Sequence, residues 1–234
     1  MKQEIVNIRL TYTEQALAVS PGDLNLLGTH LTTKIAPEIA KEEMDAMAAT
    51  LEDVEEQIEK QSTIFFKDDL GIYWWNYQLK GFFKEQYKTL IELNELKGSK
   101  WTAAKCIDNC VFVSPRRLYI HDPDGHRLEK PHGQLTRTIR VNTLRGERVA
   151  ISRSEYVNAG CYVDAAVEIL TRDVTGKSWA TFDHDAFVKC LDFGARKGFS
   201  QWRSAGFGTF TYQILDNVGP KKAEQDMNGA EQEQ

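Results

Sequence analysis

The spacing of apolar residues changes along this chain, and that change limits the folds open to it. In residues 4–12 apolar and polar side chains alternate, which predicts a strand with one buried face. In residues 77–96 the apolar side chains recur every three or four positions, which predicts a helix. The same criteria predict further strands at 62–66, 72–75, 111–115, 135–141, 147–154, 161–170 and 209–214, and further helices at 36–61, 101–109 and 183–196. This mixed order predicts an α+β fold with an antiparallel sheet, of the split-βαβ type.

The domain prediction is one unit over residues 1–215, interrupted by two insertions. The first is a helical insertion at 36–61, and the second is a proline- and glycine-containing loop at 121–133. Residues 216–234 are predicted to form a disordered acidic tail, because they contain too few apolar side chains to offset their ordering entropy. The chain has no apolar run of membrane-spanning length and no secretory signal pattern, so we expect a cytoplasmic protein with no membrane partner.

The formal net charge of −5 conceals a strong segregation of charge. Residues 36–61 contain nine acidic and two basic side chains, and residues 216–234 contain five acidic and two basic ones, so these segments carry −7 and −3. The remainder of the chain therefore carries +5. This basic remainder is compatible with a polyanionic partner, although the total charge taken alone argues against one.

A glycine-rich connection at 198–208 is the strongest local motif. Glycines allow backbone N–H groups to approach a phosphate, and Gln201, Arg203 and Ser204 add further donors. The alternative is a helix C-cap glycine followed by a bulged hairpin. The spacing matches neither a Walker loop nor a dinucleotide-binding fingerprint, which argues against nucleotide hydrolysis.

A second candidate site for an anion is the start of the predicted helix at 77–96. Lys80 and Lys84 lie one turn apart there, where the helix dipole and two ammonium groups would favour an anion. The alternative is that both are solvated lysines opposite an apolar face.

Three segments in this order resemble the RAMP superfamily of CRISPR proteins, and most closely the repeating backbone subunits of class 1, type III-like effector complexes. They are GIYWWNYQLKGFFKEQ at 71–86, NTLRGERVAISRSEYVNAGCYVDAAVEIL at 142–170 and DFGARKGFSQWRSAGFGTFTYQIL at 192–215. Lys80-Gly81 fits the family's lysine-glycine pair, and Arg203, Gly206 and Gly208 fit its glycine loop. The resemblance implies a ferredoxin-like, RRM-related core with an inserted acidic helix, and a role in antiviral defence.

The resemblance also implies a ribonucleoprotein whose subunits line up along a single-stranded RNA. Its partners would be RNA, with DNA left open, further copies of the chain and other RAMP-type subunits. Arginines at 137, 140, 145, 148 and 153 form a series that could add phosphate contacts, and Trp202 could stack on a base. The predicted nucleic-acid-binding residues are Lys80, Lys84, Arg116, Arg117, Arg148, Arg153, Gln201, Trp202, Arg203, Ser204, Gly206 and Gly208.

No catalytic residue is predicted, because this chain departs from the family at the relevant position. Lys60, Gln61, Ser62 and Thr63 occupy the place where type III backbone subunits carry a catalytic Asp, so the chain is expected not to be an enzyme. A metal-dependent endoribonuclease of the same superfamily is therefore the weaker alternative. The other alternative is a protein–protein module or an inhibitor of a defence complex, whose acidic segments would mimic nucleic acid.

No cofactor is predicted, although one weak zinc alternative exists. Cys106 and Cys110 share a helix face, and His121 and His126 follow, so the four could supply tetrahedral ligands. The ordinary alternative is buried thiols and loop histidines.

Overall fold

The computed structural model describes residues 2–21, 62–143, 146–171 and 182–215. Within these residues it contains the following elements: β1 (Lys2–Tyr12), β2 (Ala16–Leu17), β3 (Ser20–Pro21), β4 (Ser62–Ile64), β5 (Phe66–Asp68), β6 (Gly71–Trp75), α1 (Asn76–Glu92), α2 (Lys100–Cys110), β7 (Val111–Ser114), β8 (Arg117–His121), β9 (Gly133–Thr143), β10 (Gly146–Val157), β11 (Tyr162–Thr171), α3 (His184–Lys197) and β12 (Phe210–Leu215). A short 3₁₀ turn, Arg203–Ala205, precedes β12.

A seven-stranded sheet forms the centre of the molecule. Its strand order is β12-β1-β11-β8-β6-β5, with β7 also paired to β11, and every pair of neighbours is antiparallel. β1 buries Val6, Ile8 and Leu10 on one face, as its alternating sequence requires. The predicted strand at 4–12 is therefore confirmed.

The helices cover one face of this sheet and leave the other face to polar and aromatic side chains. α1 buries Phe83 and Tyr87, and α3 buries Phe187 and Leu191, in the same core as Ile8. Burying each such side chain contributes about 1.5–3 kcal/mol. No helix among the described residues is long and apolar enough to cross a membrane.

A second, five-stranded sheet lies beside the glycine-rich connection and is built around a long hairpin. β9 and β10 pair over residues 133–143 and 146–156. The other edge of β10 pairs with β2 in antiparallel fashion and with β4 in parallel fashion, and β4 pairs with β3. The chain passes between the two sheets from β1 to β2, from β4 to β5, from β8 to β9 and from β10 to β11.

The structure confirms the α+β class and most predicted elements. It adds the strands β2, β3 and β8, which the sequence did not predict, and it divides one predicted strand between the two sheets. Residues 62–66 were predicted to be a single strand, but only Phe66–Asp68 pairs with Gly71–Trp75, whereas Ser62–Ile64 joins the second sheet. Successive buried side chains at 64–66 make that run uniformly apolar, so alternation could not locate the change of sheet. The predicted helix at 36–61 and the tail at 216–234 lie outside the described residues.

Candidate nucleic-acid interface

The glycine loop, residues 198–208, connects α3 to β12 and is held at both ends by backbone hydrogen bonds. The Gly198 N–H donates to the Gly194 carbonyl at 2.7 Å, and the Phe199 N–H donates to the Gly208 carbonyl at 2.7 Å. The Gly208 N–H in turn donates to the Gln15 carbonyl at 2.8 Å. Gly198, Gly206 and Gly208 all have positive φ, which explains why glycine is needed in this loop. The loop is therefore closed on itself and anchored to the segment after β1.

Gln201 attaches the loop to the second sheet rather than to solvent. Its Oε1 accepts hydrogen bonds from Ser154 on β10 at 3.0 Å and from Thr63 on β4 at 3.1 Å. Its backbone N–H donates to the Leu17 carbonyl at 3.3 Å. The predicted ligand donor Gln201 thus has an architectural role in the described structure.

Trp202 contacts both an aromatic ring and a cation. Its indole is stacked on Phe207, with 5.2 Å between ring centroids, and the Arg137 guanidinium lies 4.4 Å from the indole centroid. Trp202 has a φ of 56°, a left-handed conformation that bulky residues rarely adopt. This strained residue is 42% exposed, so the stack reaches the surface.

Arg137 carries a positive charge that no carboxylate among the described residues compensates. Its Nη1 atom is buried, and no described residue supplies a hydrogen-bond partner for it. Burial lowers the pKa of the Arg137 guanidinium, and no acidic side chain in the described part of the chain opposes that shift. A partly buried cation without a counter-ion is costly unless a ligand supplies the missing charge.

Glu85 on α1 joins two cations next to the loop. Its carboxylate accepts from Arg203 Nη1 at 2.7 Å and from Lys197 Nζ at 2.7 Å. Burial acts to raise the pKa of Glu85, but the contacts with Arg203 and Lys197 outweigh it and the pKa is lowered. Two cations share one carboxylate, so together with Arg137 this side of the loop has a net charge of +2.

The Glu85 contacts should give a pH-dependent contribution to stability. We expect Glu85→Gln to lower the free energy of unfolding by about 0.5–1 kcal/mol at neutral pH, a modest value because the pair is partly solvated. Since the folded-state pKa is lowered, this contribution is present above the unfolded-state pKa and is lost as the pH falls through the folded-state value. Urea unfolding of wild type and variant at neutral and acidic pH measures the difference, with exposed Glu92→Gln as the control. A difference that persists unchanged in acid would contradict the assignment.

Ser204 and Gly206 lie at the exposed tip of the loop. Gly206 has a φ of +89°, and a Cβ added there would meet no atom within 4 Å. Its N–H donates to the Arg203 carbonyl at 3.0 Å. This tip is the part of the loop that a ligand can approach most closely.

Lys80 and Lys84 lie together on α1, but both contact the end of α2. Lys80 Nζ donates to the Asp108 carbonyl at 3.0 Å, and Lys84 Nζ lies 2.5 Å from Asp108 Oδ1. Burial lowers the pKa of Lys80. The two lysines therefore connect α1 to α2. Only Lys84 contacts the Asp108 carboxylate, whereas Lys80 contacts the backbone carbonyl of the same residue.

Arg116 and Arg117 lie away from the glycine loop, where β8 begins. Arg117 Nη1 contacts Asp68 Oδ2 at 2.7 Å, and the guanidinium groups of Arg116 and Arg117 lie 5.3 and 5.7 Å from the Trp75 ring. Burial would lower the pKa of Arg117, but Tyr73, Tyr119 and Asp68 raise it. Because Leu118 points into the helix-covered core, alternation places Arg117 on the opposite face of the sheet.

The remaining predicted arginines are on the long hairpin. Arg153 pairs across the strands with Thr136 and Ser62. Arg148 pairs with Val141 through the backbone, and its side chain lies outside what the structure describes. The structure thus brings Trp202, Arg203, Ser204 and the loop glycines together with Arg137, but it separates them from Arg116 and Arg117.

The weak zinc candidates do not form a metal site in the described ranges. Cys106 and Cys110 are on α2, where burial and the neighbouring Cys110 thiol raise the pKa of Cys106. His121 is stacked on Tyr162, and His126 lies near Asp122. Among residues 2–21, 62–143, 146–171 and 182–215, no group of three or more His, Cys, Asp or Glu side chains could hold a metal ion.

Two of the cations at the loop could not be selected from the sequence alone. Arg137 was one of five arginines in a series, and only the cross-strand pairing with Ser152 places it on the face of the hairpin that carries Ser154. No sequence pattern marked Lys197 as a site residue, since a lysine in the last turn of a helix is common.

No protein-family model matches this chain, and no curated protein sequence matches it either. The interpretation of the interface therefore depends on the geometry and charge described above.

Proposed function

We propose that this chain is a RAMP-like RNA-binding protein that holds the phosphate backbone of a single strand at the glycine loop. The observation that carries the proposal is the Arg137 guanidinium, which lies on Trp202. Within the described ranges its buried Nη1 atom has no hydrogen-bond partner and its charge has no compensating carboxylate. A phosphate oxygen would supply both the missing acceptor and the missing charge.

The surroundings of Arg137 favour a nucleic acid over a small anion. Phe207 and Trp202 offer aromatic surface, and Ser204 and Gly206 offer an exposed tip where a backbone can approach. Basic grooves that combine aromatic rings with cations are typical of single-strand binding, because every base has a face that can stack. RNA is proposed rather than DNA on the resemblance of the sequence motifs, and the assay below compares the two.

The strand order supports a ferredoxin-like core. The strands β12-β1-β11-β7 follow the spatial order fourth, first, third and second, with α1 between the first pair along the chain and α3 between the second pair. That is the arrangement of the split-βαβ fold. Placement in a class 1 effector complex, assembly in several copies along a strand, and a cytoplasmic location remain predictions.

The proposal assigns binding and no catalysis. Among the described residues, Asp68 is the carboxylate nearest in sequence to the position of the family's catalytic Asp. It accepts hydrogen bonds from Arg117 at 2.7 Å, from Tyr119 at 2.8 Å and from the Leu70 N–H at 2.9 Å. These three hydrogen bonds give the Asp68 carboxylate a structural role at the β5–β6 turn.

Replacement of Arg137 tests the proposal. We expect Arg137→Met to weaken binding of a fluorescein-labelled single-stranded RNA by about 10- to 100-fold, since a hydrogen bond to a charged group contributes about 1.5–3 kcal/mol. The slope of log affinity against log salt should fall by about 0.7 if one phosphate contact is lost. Fluorescence anisotropy with matched RNA and DNA strands measures both quantities.

Arg127→Met provides the matched control for that experiment. The Arg127 guanidinium also lies 4.4 Å from an aromatic centroid, that of Tyr119, but it is outside the glycine loop. The variant removes the same charge and should retain most of the affinity. Equal losses in both variants would show only a general charge effect, and an absence of RNA binding by the wild type would favour the protein–protein alternative.

A further inference from the structure

Trp101 is exposed to an unusual degree for a tryptophan. It is 86% exposed, whereas Trp74 and Trp75 are buried and Trp202 is 42% exposed. It has the largest exposed fraction among the large hydrophobic side chains of the described residues. Exposed tryptophans are enriched at binding surfaces, where a partner covers the ring.

The start of α2 holds Trp101 pointing outward. Ser99 caps the helix by accepting the Trp101 N–H at 3.4 Å. α2 buries Ala103 and Ile107 against the rest of the molecule, so Trp101 and Lys105, one turn later, share the outward side. The Lys100 ammonium lies 5.4 Å from the Trp101 ring centroid.

Lys100 lies beside this ring on α2, and further lysines follow on α1. Lys80, Lys84 and Lys88 recur every four residues on α1, and the contact between Lys84 and Asp108 joins this row to α2. The α1–α2 surface, defined by Trp101 with lysines 80, 84, 88, 97, 100 and 105, also includes Glu92, Glu95 and Asp108. Six lysines against three carboxylates give this surface a net charge of +3.

The glycine loop contacts α1, the helix that carries part of the α1–α2 surface. Arg203 of the loop contacts Glu85, which is the residue after Lys84 on α1. A strand held at the loop can therefore pass over α1 to reach α2. A protein partner is less favoured here, because lysines predominate on this surface, and lysine is depleted at protein–protein interfaces.

We propose that the α1–α2 surface is a second contact region for the same single-stranded nucleic acid, in which a base stacks on Trp101 and the flanking phosphates approach Lys84, Lys100 and Lys105. The ligand class rests on the proposed function. The site itself is separate from the glycine loop and requires no residue of it.

The test compares Trp101→Ala with Trp101→Phe, using the full chain and the labelled single-stranded RNA. Stacking of one base on an aromatic side chain is worth about a 5- to 100-fold change in affinity, so we expect a loss in that range for the alanine variant. Phenylalanine should retain most of the affinity, because it keeps an aromatic face. RNA should also quench the tryptophan emission that Trp101→Ala removes.

The outcomes separate this proposal from the proposed function. If Arg137→Met weakens binding but Trp101→Ala does not, the glycine-loop function stands and the second contact region is overturned. If Trp101→Ala changes the oligomeric state measured by light scattering while RNA affinity is unchanged, the surface binds protein and the proposal is also overturned. Leu70→Ala, at a residue 54% exposed elsewhere, controls for loss of exposed apolar area, and an equal loss there would contradict stacking.

Discussion

Replacement of Gly198 by alanine is expected to lower the free energy of unfolding by about 3–4 kcal/mol, a cost that combines backbone strain with a steric clash. Gly198 has φ 90° and ψ 156°, a region that residues with a Cβ rarely adopt. An added Cβ would lie 2.6 Å from the Phe207 carbonyl oxygen and 3.0 Å from the Gly208 carbonyl carbon. These are backbone atoms of the glycine loop, so relief of the clash requires the loop to move.

Gly206→Ala is the matched control, because Gly206 also has positive φ but lies in open space. We expect it to cost about 1–2 kcal/mol, the ordinary penalty of a left-handed residue. Urea unfolding monitored by circular dichroism measures both variants. A similar loss in the free energy of unfolding at the two positions would contradict the close packing around Gly198. RNA binding should fall further in Gly198→Ala, since the displaced loop no longer presents Trp202 beneath Arg137.

Replacement of Gln86 by methionine is expected to raise the free energy of unfolding by about 1–3 kcal/mol. Gln86 lies on α1 and is fully buried, and neither its Oε1 nor its Nε2 has a hydrogen-bond partner in the part of the chain that the structure describes. A buried amide that makes no hydrogen bond incurs the full desolvation penalty of its polar atoms. Methionine has a similar shape and fills the same space without polar groups.

Gln78→Met on the same helix should have the opposite effect. Gln78 Oε1 accepts the Trp75 N–H at 2.8 Å where α1 begins, so methionine leaves that donor unpaired. We expect a loss of about 1 kcal/mol. Thermal unfolding of the two variants tests the pair together. Destabilisation by Gln86→Met would indicate that a water molecule satisfies the buried amide.

The predicted elements were recovered because their periodicity reports burial directly. β1, α1, α2 and α3 each have one apolar face, and packing against the core selects the same period that the sequence shows. The run at 62–66 was misassigned because three successive buried residues carry no period. Side-chain alternation also cannot say which strands pair, and so the parallel contact between β4 and β10 was not predicted.

The candidate site was predicted by residue type and only partly by role. Arg203 and the glycines were selected as a phosphate-binding loop, and the structure adds that Arg203 pairs with Glu85 and that Gln201 is bound to Thr63 and Ser154. Lys80 and Lys84 were selected for their place at a helix start, yet their contact with Asp108 comes from another helix. Such partners are distant in sequence, and no local pattern encodes them.

The sequence by itself determined the α+β class, the positions of most strands and helices, and the presence of glycines where the loop between α3 and β12 needs positive φ. These properties depend on side-chain period and on local backbone sterics, which neighbouring residues specify. Only the tertiary structure decided which charges are compensated. Arg117 has Asp68, Arg203 has Glu85, and Arg137 has no carboxylate among the described residues, because the sheet pairings and helix packing bring together residues far apart in the chain. The buried Nη1 atom of Arg137, which has no hydrogen-bond partner among the described residues, distinguishes it from the other described arginines and makes it the centre of the proposed interface.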